Sequence, residues 1–137
     1  MTTGDKNELM AAALKAREHA VAPYSGFAVG AAVMADDGDV FTGANVESAS
    51  YGLTCCAERV ALFKALTAGK RKIQAVGVIA RHSGGPMPCG ACRQLMAEYA
   101  PNATVFVSDS EWPEATRSFT VRELLPDAFD GSFASES

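Results

Sequence analysis

Apolar residues recur along this chain in two rhythms. Leu9, Ala13, Leu14 and Arg17 fall on one face at a period of about 3.6, with Lys6, Lys15 and Glu18 elsewhere, which predicts an amphipathic helix. Asp5 or Asn7 can cap it, and it should run to about Val21, with residues 1–4 loose. His19, near its C-terminal end, reads as a surface or packing residue. Ala22-Pro23-Tyr24-Ser25-Gly26 breaks the helix. Residues 27–35 are apolar, small and partly β-branched, a strand buried on both faces. A turn at Asp36-Asp37-Gly38-Asp39 returns the chain through residues 40–44 as the second strand of a hairpin. Residues 45–53 are polar and turn-rich with no clean period, and binding residues often sit in such loops.

Thr54 is a suitable N-cap for a helix over residues 55–68, with Gly69 just past its end and Val60, Leu62, Phe63 and Leu66 as its buried stripe. Residues 73–80 form a buried third strand, and 81–88, with Gly84-Gly85-Pro86, a loop. A helix follows over 89–99, turning Leu95, Met96 and Tyr99 inward, and Pro101-Asn102 stops it. Residues 104–108 are a fourth strand, and a short fifth is expected around 117–119. Thr120 and Glu123 have the spacing of a capping box for a short helix over 121–125. Residues 126–129 form a turn and 131–137 a polar tail. Strands interleaved with helices predict an α/β layered domain with a mixed sheet, antiparallel in the hairpin. The crossover through residues 89–99 should be parallel and right-handed.

Composition narrows the partners. The 137 residues suit a single domain over residues 1–137, large enough to bury a core without disulfides. Twelve Lys and Arg against sixteen Asp and Glu give a net charge of −4, and no basic stripe is present. Lys70-Arg71-Lys72 is too short to track phosphates and reads as a solvated loop, so no nucleic-acid partner is expected. No secretory signal opens the chain, and no apolar run nears the roughly 20 residues of a membrane helix. A cytoplasmic location and no membrane partner follow. There, four cysteines read as metal ligands or reactive thiols and not as disulfides.

Two stretches hold that chemistry: Thr54-Cys55-Cys56-Ala57-Glu58-Arg59 and Pro88-Cys89-Gly90-Ala91-Cys92-Arg93-Gln94. Cys89 and Cys92 sit at i and i+3, and on a helix they share a face. Helix N-termini favour thiolates, and a second helix opening at Cys55 or Cys56 can bring a third to the pair. Spacing leaves open which of the two binds. Three ligands leave zinc a fourth place for water; four, with Cys55, His82 or His19 completing the set, would make it structural. A lone C-x-x-C would also suit a redox pair, which needs neither Cys56 nor Glu58. Glu58, one turn into its helix, can take the proton of a zinc-activated water. Three thiolates leave the site negative, and Arg59 is predicted to hydrogen-bond a ligand sulfur and offset that charge.

These residues resemble the zinc-dependent cytidine deaminases of the small homotetrameric type, whose general signature pairs (His or Cys)-x-Glu with Pro-Cys-x-x-Cys. The resemblance covers nearly the whole chain. It includes Pro23-Tyr24-Ser25-Gly26-Phe27 with Val29-Gly30-Ala31-Ala32, then Gly43-Ala44-Asn45-Val46-Glu47, the two cysteine stretches, and Leu124-Leu125-Pro126-Asp127-Ala128-Phe129. It implies a three-layer α/β/α fold with a mixed five-stranded sheet, one zinc per chain and a homotetramer with shared active sites. It makes Cys56, Cys89 and Cys92 the zinc ligands, Glu58 the catalytic proton shuttle and Cys55 a buried bystander. Asn45 and Glu47 would bind the ribose hydroxyls, Phe27 would pack on the pyrimidine, and the Ala57 N–H would meet the base carbonyl. Phe129 would reach a neighbouring subunit's site. Ser48 stands where many members have Asn, a change that removes no assigned role.

The implied activity is hydrolytic deamination of cytidine and 2′-deoxycytidine to uridine and 2′-deoxyuridine with release of ammonia, in pyrimidine salvage. A deaminase of a nucleoside antibiotic such as blasticidin S would share the zinc residues, but Asn45 and Glu47 favour an ordinary ribose. A nucleic-acid-editing deaminase fits poorly with the acidic charge and compact length. A non-catalytic zinc module would need four protein ligands.

Overall fold

The structure, a computed structural model, describes residues 1–130, so the tail expected over 131–137 lies outside the described residues. Helix α1 spans Thr3–Ala16 and starts earlier than Asp5 or Asn7 would allow. Thr2 is its cap: the Thr2 hydroxyl accepts from the Asp5 N–H, and the Asp5 carboxylate accepts from the Thr2 N–H. Residues 1–4 are therefore mostly ordered by a capping box in which Asp5 is the third helical residue. A 3-10 turn, Arg17–His19, ends the helix short of Val21, and His19 is exposed.

Five strands follow: β1 (Val29–Ala35), β2 (Val40–Ala44), β3 (Ile73–Ala80), β4 (Thr104–Asp109) and β5 (Trp112–Thr120). They form one sheet in the order β2-β1-β3-β4-β5. β1 is antiparallel to both β2 and β3, β3 is parallel to β4, and β4 is antiparallel to β5. β1 lies between β2 and β3 and is covered by helices on both faces of the sheet, so its alternating side chains enter two cores. Ala31, Val33 and Ala35 join one core, Ala32 and Met34 the other. Phe27 precedes the strand and is exposed, because Gly26 adopts a left-handed φ of 69° and the Phe27 N–H goes to the Ser25 hydroxyl and not to a neighbouring strand. β5 is much longer than the short strand expected at 117–119. It is a mostly exposed edge, and its polar residues gave little periodic signal.

Helices α2 (Ala57–Thr67) and α3 (Gly90–Tyr99) pack on one face, and α1 covers the other, giving three layers. A short α4 (Val121–Leu124) carries the expected Thr120–Glu123 capping box. Both α2 and α3 begin one residue or more later than expected, with Cys56 and Cys89 themselves at the cap positions. The buried face of α2 is Ala57, Glu58, Ala61, Leu62 and Ala65; Val60 and Leu66 are half-buried and Phe63 is 42% exposed. Small residues let this helix lie close to the sheet; Leu62 stays in the core and Leu66 packs against it, while Phe63 turns outward. In α3 Met96 is buried, Leu95 half-buried and Tyr99 exposed, for Tyr99 lies on the outer side with Phe63.

Connectivity places the two helix starts together. β2 and β3 run in the same direction, and their crossovers to β3 and β4 progress the same way across the sheet. Right-handed crossovers then put α2 and α3 on one face, starting from one edge. Gly43 makes the approach of α2 possible: a Cβ there would lie 2.6 Å from the Ala57 carbonyl oxygen and 2.6 Å from the Ala61 nitrogen. Gly43→Ala is expected to destabilise the fold by about 1–3 kcal/mol through overpacking, measured by urea unfolding. Activity should fall with it, since α2 would have to move. No helix among the described residues is long and apolar enough to cross a membrane.

Candidate metal centre and active site

The caps of α2 and α3 meet at the carboxyl ends of β2 and β3. Cys56 Sγ lies 3.7 Å from Cys89 Sγ, and Cys89 Sγ lies 3.4 Å from Cys92 Sγ. All three sulfurs fall within 4.8 Å of one another. Tetrahedral zinc with Zn–S bonds of about 2.3 Å separates its sulfurs by about 3.8 Å, so the thiol triangle fits that ion. Among the described residues no fourth His, Cys, Asp or Glu joins the group, and His19, His82 and Cys55 stand outside it. The open fourth position is the arrangement of a zinc that meets substrate or water.

The surroundings favour thiolate at the two cap positions. The Cys89 sulfur accepts from the Cys92 N–H at the start of α3, and Cys56 occupies the corresponding place on α2. The Arg59 guanidinium donates to Cys56 Sγ at 3.4 Å and to the Thr54 carbonyl at 3.2 Å. The Cys92 thiol and this guanidinium hold Cys56 well below the ordinary thiol range. Its thiolate in turn raises the affinity of Arg59 for its proton, and pushes Cys92 up, with burial adding to the effect. The Arg59 Nε is buried and has no hydrogen-bond partner among the described residues.

Glu58 is 6% exposed and lies beside these thiols. Burial pushes its carboxyl up to about 7, with the Cys56 charge adding to the rise and its own backbone amide and the Cys92 thiol opposing it. Glu58 opens onto a cleft of about 220 Å³ that also carries Phe27, Asn45, Cys56, Ala57 and Cys89. Ala57 is the first residue of α2, so its N–H has no acceptor within the helix. Cys92 lies beneath the cleft, almost fully buried. Cys55 is half-buried and lines the cleft, where a buried bystander was expected; its backbone is bridged to Val46.

Asn45 lines the cleft, whereas Glu47 does not, and both bind the chain that precedes β1. The Asn45 side-chain oxygen accepts from the Val29 N–H at 2.9 Å, and its amide donates to the Phe27 carbonyl at 2.8 Å. Glu47 accepts from the Tyr24 and Ser25 N–H groups and from the Ser25 hydroxyl, in a depression beside the cleft that Tyr51, Ser48 and Thr54 also line. Thr54 borders both hollows. The two side chains thus hold residues 24–29 in place. Phe129 is outside the cleft of its own chain and 63% exposed, with its carbonyl accepting from the Gln94 side chain at 2.6 Å. Thr54, Pro86 and Met87 also line the cleft and were not singled out from the sequence; the Gly84-Gly85-Pro86 loop was the one available signal for the last two.

A family model described as the cytidine and deoxycytidylate deaminase zinc-binding region matches residues 3–108, most of the chain. The chain belongs to this deaminase family. It is 50% identical over 126 residues to a cytidine deaminase of Halalkalibacterium halodurans, covering 91% of this chain and 94% of that one. The fold superposes on the crystal structure of a cytidine deaminase from Burkholderia pseudomallei with a TM-score of 0.86 at 48% identity, covering 94% of this chain and all of the other. A cytidine deaminase crystal structure from Mycobacterium tuberculosis gives 0.78 at 40% identity, covering 91% of this chain and 97% of the other. Membership makes the chain a zinc-dependent hydrolase of the cytidine deaminase type, and the family's zinc-binding region coincides with the three-thiol cluster, one per chain.

Proposed function

We propose that the enzyme hydrolyses both cytidine and 2′-deoxycytidine to the uridine counterparts and ammonia, with Glu58 as the proton shuttle. One observation supports this above the others: a buried carboxyl stands beside three convergent thiols at the floor of a cleft that carries an aromatic ring and a polar amide. Cys56, Cys89 and Cys92 would hold the zinc, which as a Lewis acid makes water a nucleophile near neutral pH.

The chain's own groups do the rest. Phe27 packs on the pyrimidine, the Ala57 N–H receives the base carbonyl, and Asn45 and Glu47 meet the ribose hydroxyls with the bonding capacity their loop contacts leave. Glu58 removes a proton from the attacking water as its oxygen bonds to C4, and delivers that proton to N3. It then carries the remaining hydroxyl proton to the exocyclic amine. The C4–N bond breaks, ammonia leaves and the C4 carbonyl forms. Arg59 offsets the negative charge of the thiolates.

The active form is a cytoplasmic homotetramer serving pyrimidine salvage, in which Phe129 contributes to a neighbouring subunit's cleft. Exposed Tyr51, Leu53, Phe63, Tyr99 and Phe129 give the chain the apolar surface that association would cover. Purified protein should lower the ultraviolet absorbance of cytidine and 2′-deoxycytidine, and a zinc chelator should abolish the change. An absorbance change that survives complete zinc removal, or none on either nucleoside, would sink the proposal.

A further inference from the structure

Arg93 follows Cys92 directly, and its guanidinium is spent on two carbonyls far apart in sequence. Nε donates to Pro88 O at 2.8 Å, and an Nη donates to Leu124 O at 2.9 Å. Pro88 is the residue before Cys89. Leu124 is the last residue of α4, where a helix leaves carbonyls without partners inside the helix. The adjacent Gln94 donates to Phe129 O, so consecutive residues of α3 hold two points of the C-terminal segment.

The loop ahead of Cys89 needs such support. Pro86 and Pro88 have no N–H and cannot bind the loop into a ladder. Upstream, Gly85 is packed against the β4 backbone at Ser108, and Arg117 donates to Gly84 O. Downstream, Arg93 takes the Pro88 carbonyl. Pro86 and Met87 between these points line the cleft.

We infer that Arg93 is a positioning residue that ties the Cys89 turn to the end of α4, so that the metal-binding turn and the C-terminal segment move as one unit. The planar guanidinium suits the task because it reaches both carbonyls from one rigid group; a lysine ammonium is a compact point donor. The inference rests on Cys89 being a zinc ligand, and the zinc content of the unaltered protein, one per chain, checks that reading separately.

The test compares the zinc-loaded protein with Arg93→Met, Thr120→Ala and the double variant. Zinc transfer to a chromogenic chelator is followed well below the melting temperature, together with KM and kcat for cytidine. Losing a group that orients a metal ligand weakens metal binding typically about 10–100-fold. Arg93→Met should therefore release zinc at least about tenfold faster, with KM raised because the Pro86–Met87 wall loosens. Thr120→Ala removes the α4 cap and should speed release modestly, and only while Arg93 is present. Arg93→Lys should fall between the parent and Arg93→Met, and it carries the test where Arg93→Met does not fold. Arg93→Met, or Arg93→Lys in its place, with parental zinc release and KM but a lowered melting temperature would reduce Arg93 to a structural residue. Multiplicative effects of Arg93→Met and Thr120→Ala would overturn the coupling.

Discussion

Glu58→Ala binds zinc at one per chain and turns over cytidine at least about 10²–10⁴-fold more slowly than the parent, the range a single general acid–base group contributes. The larger end is expected, because in the proposed mechanism one carboxyl would serve the attack on C4, the protonation of N3 and the departure of the amine. Glu58→Gln should be equally inactive while keeping the shape of the side chain, which separates proton transfer from packing. The site tolerates both changes structurally: Glu58 lies on the second position of α2, and the sulfurs come from the caps of α2 and α3 and from the first turn of α3. The measurement is steady-state kcat beside metal analysis of the same preparation. Near-normal turnover with zinc bound would exclude the shuttle role.

Cys92→Ser loses both zinc and activity, while Cys55→Ser keeps one zinc per chain and activity within a few-fold. The contrast follows from position. Cys92 is nearly fully buried at the base of the thiol triangle, so its replacement by serine leaves two sulfurs and puts a hydroxyl, a poor zinc ligand, in the core. Cys55 is next to Cys56 in sequence but outside the cluster, with its backbone tied to Val46. Metal analysis after gel filtration, paired with the cytidine assay, decides it. Full zinc retention by Cys92→Ser would show that the triangle is not the metal centre.

How much of this was legible in the sequence differs by element. The α/β order was readable because β1, β3 and β4 are continuous apolar runs and the hairpin turn carries a D-G step. The starts of α2 and α3 were not, since oxygen side chains are the usual caps and Thr54 was the one on offer for α2, whereas Cys56 and Cys89 take the cap positions here. The buried face of α2 was read in part: Leu62 is in the core and Leu66 packs against it as expected, but Phe63 is not, because the helix has apolar residues on more than one face and periodicity alone does not say which meets the sheet. Its alanines do, opposite Gly43, and Phe63 is left outside. The C-A-E and P-C-x-x-C stretches made the thiols and the carboxyl visible, because their chemistry is local. The contacts of Asn45 with Phe27 and Val29, and of Glu47 with Ser25, span 16–22 residues between loops, and no local pattern announces them.

The thiol triangle joins two points of the chain, Cys56 and Cys89, that are 33 residues apart. All of α2 and β3 lies between them. Bound zinc is therefore also a covalent-like crosslink closing that loop, and opening this half of the sheet requires the ion to leave or the unfolded loop to keep it. Free zinc becomes a thermodynamic partner of folding: at a hundredfold excess over its dissociation constant it adds about 2.7 kcal/mol to the native state. Zinc concentration then sets part of the stability of the folded chain, in addition to whether it can act.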